Sequence, residues 1–133
     1  MAKYVAGKVH VEVKSAHNLL PMDISGQSDP YIIVQVGNNK QHTEIKNQTL
    51  HAEYTDKFDF FFDPTITDER EVFIEVWDRD TLKPDDFIGR TKFPFLEYLN
   101  NQKTVNLKLE GEGKWQGKDA GDVVLTVLYT PEK

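Results

Sequence analysis

A chain of 133 residues is too short for two hydrophobic cores, and its 38% hydrophobic content, with 8 Phe, 5 Tyr and 2 Trp, excludes disorder throughout. Its 22 acidic residues against 16 basic ones give a net charge of −6, which a nucleic-acid backbone repels. The absence of cysteine excludes disulfides, thiolate metal sites and thiol nucleophiles, so the expectation is one domain over residues 1–133 with no nucleic-acid partner.

The first seven residues hold no apolar run of signal-peptide length, no later stretch is long enough to span a bilayer, and Ala2 excludes the usual myristoylation start. Cytoplasmic residence is the expectation. Val9, Val11 and Val13 then alternate with His10, Glu12 and Lys14, the period-two pattern of a strand with one wet face. Strand-like runs follow at 31–36, 41–46, 58–62, 72–77, 87–93, 104–109 and 123–129. Gly37, Asn38 and Asn39 suit a tight hairpin because Gly and Asn tolerate positive φ, a short helical turn is expected over 95–99, and 111–121 reads as a surface connector. Short strands at this spacing, without helices between them, predict an all-β, eight-stranded antiparallel β-sandwich.

Acidic residues stand where the strand pattern calls for core. The inward row Val72, Ile74, Val76 continues at the same spacing into Asp78 and Asp80, so two like charges crowd the end of a sheet, which is costly unless a cation or hydrogen bonds offset them. The segment 21–31 supplies a similar arrangement: Asp23 and Asp29 flank a Ser25-Gly26 turn, and Pro30 biases Asp29 toward extended backbone at the mouth of the next strand. Asp86 closes the later loop after Pro84 and Asp85. Five carboxylates at strand ends make a hard-oxygen site, whose natural ion is calcium rather than zinc. An EF-hand loop starting at Asp78 fails at Leu82, Lys83 and Gly89, and an aspartate-nucleophile phosphatase needs an α/β scaffold that the strand pattern does not provide.

In the stretches GKVHVEVKSAHNLLPMD, SGQSDPYIIVQV, VFIEVWDRDTLKPDDFIG and GDVVLTVLY, the chain resembles the C2 domain, the calcium and phospholipid module first named in protein kinase C. The resemblance implies that Asp23, Asp29, Asp78, Asp80 and Asp86 bind calcium, with the backbone carbonyls of Met22 and Arg79 as further ligands. It also implies the second, circularly permuted (type II) strand order of that family. Where the family has Asn-Pro and then Trp, this chain has His51, Ala52, Glu53 and Tyr54, read as an edge variation. The lysine-rich strand that some members use for phosphoinositides is represented only by Lys40 and Lys46, so no dedicated site of that kind is expected.

The remaining features have plain readings. His10, His17, His42 and His51 lack metal-ligand spacing, and Asn47-Gln48-Thr49 matches a glycosylation acceptor only by pattern. Ile24 and Leu82, at the loop tips, are candidates for insertion into lipid. The function expected is reversible, calcium-dependent docking onto anionic, phosphatidylserine-like membranes, with recruitment from the cytoplasm and no catalysis. The alternative is a protein-interaction or adaptor module that binds a protein partner and no lipid.

Overall fold

The computed structural model describes residues 5–22 and 25–132. Its strands in chain order are β1 (Gly7–His17), β2 (Pro30–Val36), β3 (Asn39–His42), β4 (Ala52–Glu53), β5 (Lys57–Phe62), β6 (Glu71–Asp78), β7 (Asp86–Pro94), β8 (Lys103–Glu110) and β9 (Asp119–Pro131). Every strand pairing is antiparallel. One layer runs β3-β2-β6-β7 and the other β8-β9-β1, with β4 and β5 both paired to β1. The layers meet along one edge through the single registered pair Arg90 with Glu110, while their inward rows form one shared core that includes Val9, Val11, Val13, Ile32, Val34, Val72, Ile74, Val76, Leu125 and Val127. The expected sandwich is what the sequence folds into.

Nine strands reconcile with the expected eight because β4 and β5 are two pieces of one strand lying along β1. Between Val13 and Ser15 the pairing of β1 with β9 shifts, leaving Lys14 as the extra residue of a bulge. That bulge changes the parity of the inward row, so Val13 is followed in the core by Ala16. The neighbouring strand breaks at the same level: Tyr54 donates its N–H to the Lys14 carbonyl at 2.8 Å and Val13 donates to the Asp56 carbonyl at 2.9 Å. A second irregularity lies in the other layer, between β6 and β7, where Val76 pairs with Gly89 but Trp77 pairs with Phe87, making Ile88 an extra, buried residue of β7. Gly89 is needed there, since a Cβ would lie 3.0 Å from the Cβ atoms of both Leu109 and Ala120.

The hairpin over 37–39 is a two-residue turn: Val36 pairs with Asn39, and Gly37 takes a φ of 60°. The run 41–46 is only partly a strand, since β3 ends at His42. The reason is local competition: the buried Thr43 hydroxyl accepts the Ile32 N–H at 2.9 Å in place of a backbone carbonyl, which breaks the regular ladder although Thr43 and Lys46 still donate their N–H groups to the Ile32 and Pro30 carbonyls. The helical turn is a 3₁₀ turn at Leu96–Tyr98. The connector over 111–121 is shorter than expected, holding a 3₁₀ turn at Gly113–Trp115 before β9 begins at Asp119, and Trp115 packs against the core.

Candidate functional site

The core row of β6 ends as the alternation requires. Val72, Ile74 and Val76 are fully buried, and so is Asp78. Register then fixes its neighbours: Asp78 pairs with Pro30 of β2 on one side and with Asp86 of β7 on the other. The bulge at Ile88 produces the second pairing, since without it Phe87 would stand opposite Asp78. A fully buried carboxylate is expensive unless hydrogen bonds or cations answer it. Asp78 Oδ1 accepts the Asp29 N–H at 2.6 Å, so the two aspartate loops are joined at this point.

Around Asp78 the loops are tied to one another through polar contacts. Asp29 Oδ1 accepts the N–H of Gln48 at 2.6 Å, and the Asp29 carbonyl accepts the N–H of Arg79 at 3.0 Å. Asp80 Oδ1 accepts the N–H of Leu82 at 2.9 Å, a local turn that sends Leu82 to the tip, where it is 95% exposed. The Asp80 N–H is held in turn by Asp85 Oδ1 at 2.9 Å, and Asp85 Oδ2 accepts the Tyr31 hydroxyl at 2.5 Å. The Tyr31 hydroxyl and the Asp80 N–H together hold the Asp85 carboxyl below the usual carboxylate range. Burial, reinforced by the hydrogen bond to Asp85, pushes the Tyr31 phenol up to about 12.

Lys83 occupies the mouth of this cradle. Its ammonium donates to both oxygens of Asp86, at 3.2 and 3.1 Å, and lies 3.8 Å from Asp80 Oδ2. The hydrogen bond to Asp86 is the main cause of its raised pKa, with the charges of Asp86, Asp80 and Asp78 adding to it. One ammonium thus contacts Asp86 and lies close to Asp80, two of the five expected ligands. Among the described residues, no group of three or more His, Cys, Asp and Glu side chains is arranged to hold a metal ion as it stands. The carboxylate oxygens face backbone N–H groups and Lys83 instead. By chemistry the donor set still fits calcium, being all hard oxygen.

Of the expected site residues, Asp29, Asp78, Asp80 and Asp86 come together at one end of the sandwich. Asp23 and Ile24 lie outside the described residues. Met22 and Arg79 lie on the loops as expected, each with its N–H committed within the cradle, Met22 to Ser28 Oγ at 3.0 Å. Sequence reasoning missed four residues that shape the site: Ser28, Tyr31, Lys83 and Asp85. Ser28 is fully buried and also donates to the Leu20 carbonyl at 2.8 Å, clamping the first loop. The doublet Asp85-Asp86 was the available signal, because adjacent residues of an extended chain face opposite ways and only one of them can point inward.

Tyr54 corrects the expectation of an edge variation. It is buried, and its hydroxyl donates to the Pro30 carbonyl at 2.8 Å, directly beneath Asp29. Of the two sparse lysines, Lys46 is already ion-paired with Glu44 and lies over the Tyr54 ring. A concavity of about 870 Å³ lies away from the aspartate cradle, where β7 and β8 part, lined by Ile74, Arg90, Lys92, Lys108 and Leu109 among others. The aspartate cradle is open loop tips rather than a cavity.

Comparison with known proteins agrees with this architecture. The sequence model of the C2 domain matches residues 7–110. The chain is 32% identical over 127 residues to a C2 and GRAM domain-containing protein of Arabidopsis thaliana, covering 92% of this chain and 12% of that protein. It is 36% identical over 108 residues to multiple C2 and transmembrane domain-containing protein 1 of Homo sapiens, covering 80% of this chain and 10% of the relative. The chain thus spans only about a tenth of the length of these curated relatives. Among solved structures, the C2A domain of plant Extended Synaptotagmin 1 superposes with a TM-score of 0.82 at 23% identity, covering 98% of this chain and 99% of that one. The calcium-bound C2A and C2B domains of Extended-Synaptotagmin 2 give 0.77 at 21% identity, covering 96% and 47%. At those identities the superpositions speak for the fold alone, but with the sequence match over most of its length and aspartates gathered at one end of the sandwich, the chain belongs to the C2 domain family.

Proposed function

We propose that this chain is a calcium-dependent membrane-docking module in which Asp23, Asp29, Asp78, Asp80 and Asp86, with the carbonyls of Met22 and Arg79, hold calcium at the loop end. The observation that carries the reading is the buried Asp78, registered between Pro30 and Asp86 and joined to Asp29 by a backbone hydrogen bond. Asp29, Asp78, Asp80, Asp85 and Asp86 gather against Lys83 and Arg79, so the loop end carries a local excess of negative charge that an anionic leaflet repels. Bound calcium would cancel most of that charge and offer open coordination positions to lipid phosphate or carboxylate oxygens. The protein's own contribution is to hold the carboxylates together on two loops tied by Asp29, Asp78 and Asp85, and to present Leu82 at the tip.

On this reading the chain moves from cytoplasm to membrane when calcium rises and has no catalytic role. Among the described residues no helix is long and apolar enough to cross a membrane. The test is co-sedimentation with phosphatidylserine vesicles, in calcium and in chelator, beside neutral phosphatidylcholine vesicles. Pelleting with the anionic vesicles only in calcium is expected, and equal pelleting in chelator would refute the switch. The adaptor alternative draws support from Phe61 and Ile66, 57% and 78% exposed at the opposite end of the sandwich. It predicts no vesicle binding in any condition.

A further inference from the structure

We infer that Lys83 is a tethered counter-ion: it closes the loop between β6 and β7 by bridging Asp86 and Asp80, calcium must displace it, and the freed ammonium then faces anionic lipid. This deepens the calcium reading above and rests on it.

The geometry assigns Lys83 this place for three reasons. First, its ammonium contacts both oxygens of Asp86 and approaches Asp80, two residues expected to ligate the metal, so the tether and a metal compete for the same oxygens. Second, the loop backbone around it is fixed independently of Lys83. Asp85 holds the Asp80 N–H, Tyr31 holds Asp85, and Asp80 holds the Leu82 N–H, so a divalent ion can replace the ammonium by rotating one side chain without remodelling the loop. Third, the Lys83 side chain is 56% exposed while those of Asp80 and Asp86 are 17% and 30% exposed, so the lysine reaches in from solvent over partly covered acids and has open space to swing into. Its neighbour Leu82 is the most exposed large apolar residue described, and the released ammonium emerges beside it. An apolar tip flanked by a free cation suits an anionic bilayer surface.

Two opposed effects follow from one substitution. Lys83→Met removes the competitor while keeping a flexible chain of similar length. Calcium affinity without lipid should therefore tighten, by about three- to tenfold for a partly exposed bridge to two carboxylates. Binding to phosphatidylserine vesicles at saturating calcium should weaken by about fivefold, the loss of one juxtamembrane cation. In chelator the variant should melt slightly below the parent, because the repulsion among the aspartates is no longer offset.

The experiment is titration calorimetry of calcium into parent, Lys83→Met and Lys83→Arg, with melting in chelator and vesicle co-sedimentation at saturating calcium. The arginine variant should keep the parent's vesicle affinity. Calcium affinity in Lys83→Met equal to or weaker than the parent's overturns the competition. Vesicle binding unchanged in Lys83→Met overturns lipid engagement, and melting in chelator at or above the parent's overturns the tether itself. A parent that takes up no calcium while Lys83→Met still melts lower refutes the calcium reading and the displacement but upholds the apo bridge, so the failures are distinguishable.

Discussion

At one end of β6 the core row runs into Asp78, and the surrounding loops are joined by carboxylates, backbone N–H groups and one ammonium. At the other end, beyond Glu71, the Arg70 guanidinium lies over the Phe62 ring, and Phe62, Phe95 and Tyr129 form an edge-to-face trio with centroids 4.9, 5.2 and 5.9 Å apart. The aromatic end is held mainly by buried rings, whereas the aspartate end is held by carboxylates, backbone N–H groups and one ammonium. Stability and function should therefore separate along the long axis of the sandwich.

The largest effect belongs to the aromatic end. Phe62→Ala should cost about 3 to 5 kcal/mol, combining lost transfer energy with the cavity left behind, and urea unfolding would read it as a lowered midpoint. The folded fraction should respond to calcium as the parent does, and a lost response would show that the two ends are coupled. Next comes calcium itself. At a hundred times its dissociation constant a ligand that binds only the folded state adds about 2.7 kcal/mol, so the parent's melting temperature should climb with calcium. Asp80→Asn should melt at least as high as the parent in chelator, since it removes one like charge and keeps the oxygen that accepts the Leu82 N–H, yet gain far less from calcium. Equal calcium responses in scanning calorimetry would remove Asp80 from the ligand set.

Leu82→Ala should weaken vesicle binding by about 1 to 2 kcal/mol and leave lipid-free calcium binding unchanged, because the side chain holds no oxygen and its apolar area matters only in a bilayer. Unaltered vesicle affinity would retire insertion at this tip. The smallest effect is Tyr31→Phe, which deletes the hydrogen bond to Asp85 and should cost about 1 kcal/mol near neutral pH. The Tyr31 phenol is raised in the folded protein to about 12, so its stabilisation is whole below its unfolded value and lost as pH rises through about 12. Asp85 is depressed, so its stabilisation is whole above its unfolded value and lost as pH falls through the lowered folded one. Stability against pH for the variant should flatten on both limbs, and carboxyl NMR should find Asp85 moved up toward the ordinary range.

Much of this contrast was legible in the residues. Val72, Ile74, Val76 and Asp78 state both the strand and its acidic end, and the two-residue turn at Gly37-Asn38 follows from residue type alone. What period-two reading could not see were changes of phase. The extra residues Lys14 and Ile88 alter which side chains face the core without altering composition, and Thr43 ends a ladder by offering a hydroxyl in place of a carbonyl. Tyr54 sits buried under Pro30 although the sequence around it reads as edge. Lys83 escaped because a lone lysine in a loop has no pattern, and only the fold brings its ammonium onto Asp86.

The extra residue Ile88 also says how freely the loop between β6 and β7 can change. Because the bulge lies after Asp86, inside paired β7, it sets the phase by which that carboxylate faces Asp78, while residues 81–84 set the span between and carry Lys83. Exchanging those four for other short turns should graft new tips, apolar, cationic or aromatic, onto an unchanged pair of carboxylates. Deleting Ile88 would remove the bulge and a buried core side chain yet leave Trp77 opposite Phe87 and Asp78 opposite Asp86, whereas pairing Ile88 into the ladder would oppose Asp78 with Phe87. The interchangeable part of this domain is thus its tip, and the part that fixes the aspartate pairing is the ladder between β6 and β7, which holds Ile88 out of register.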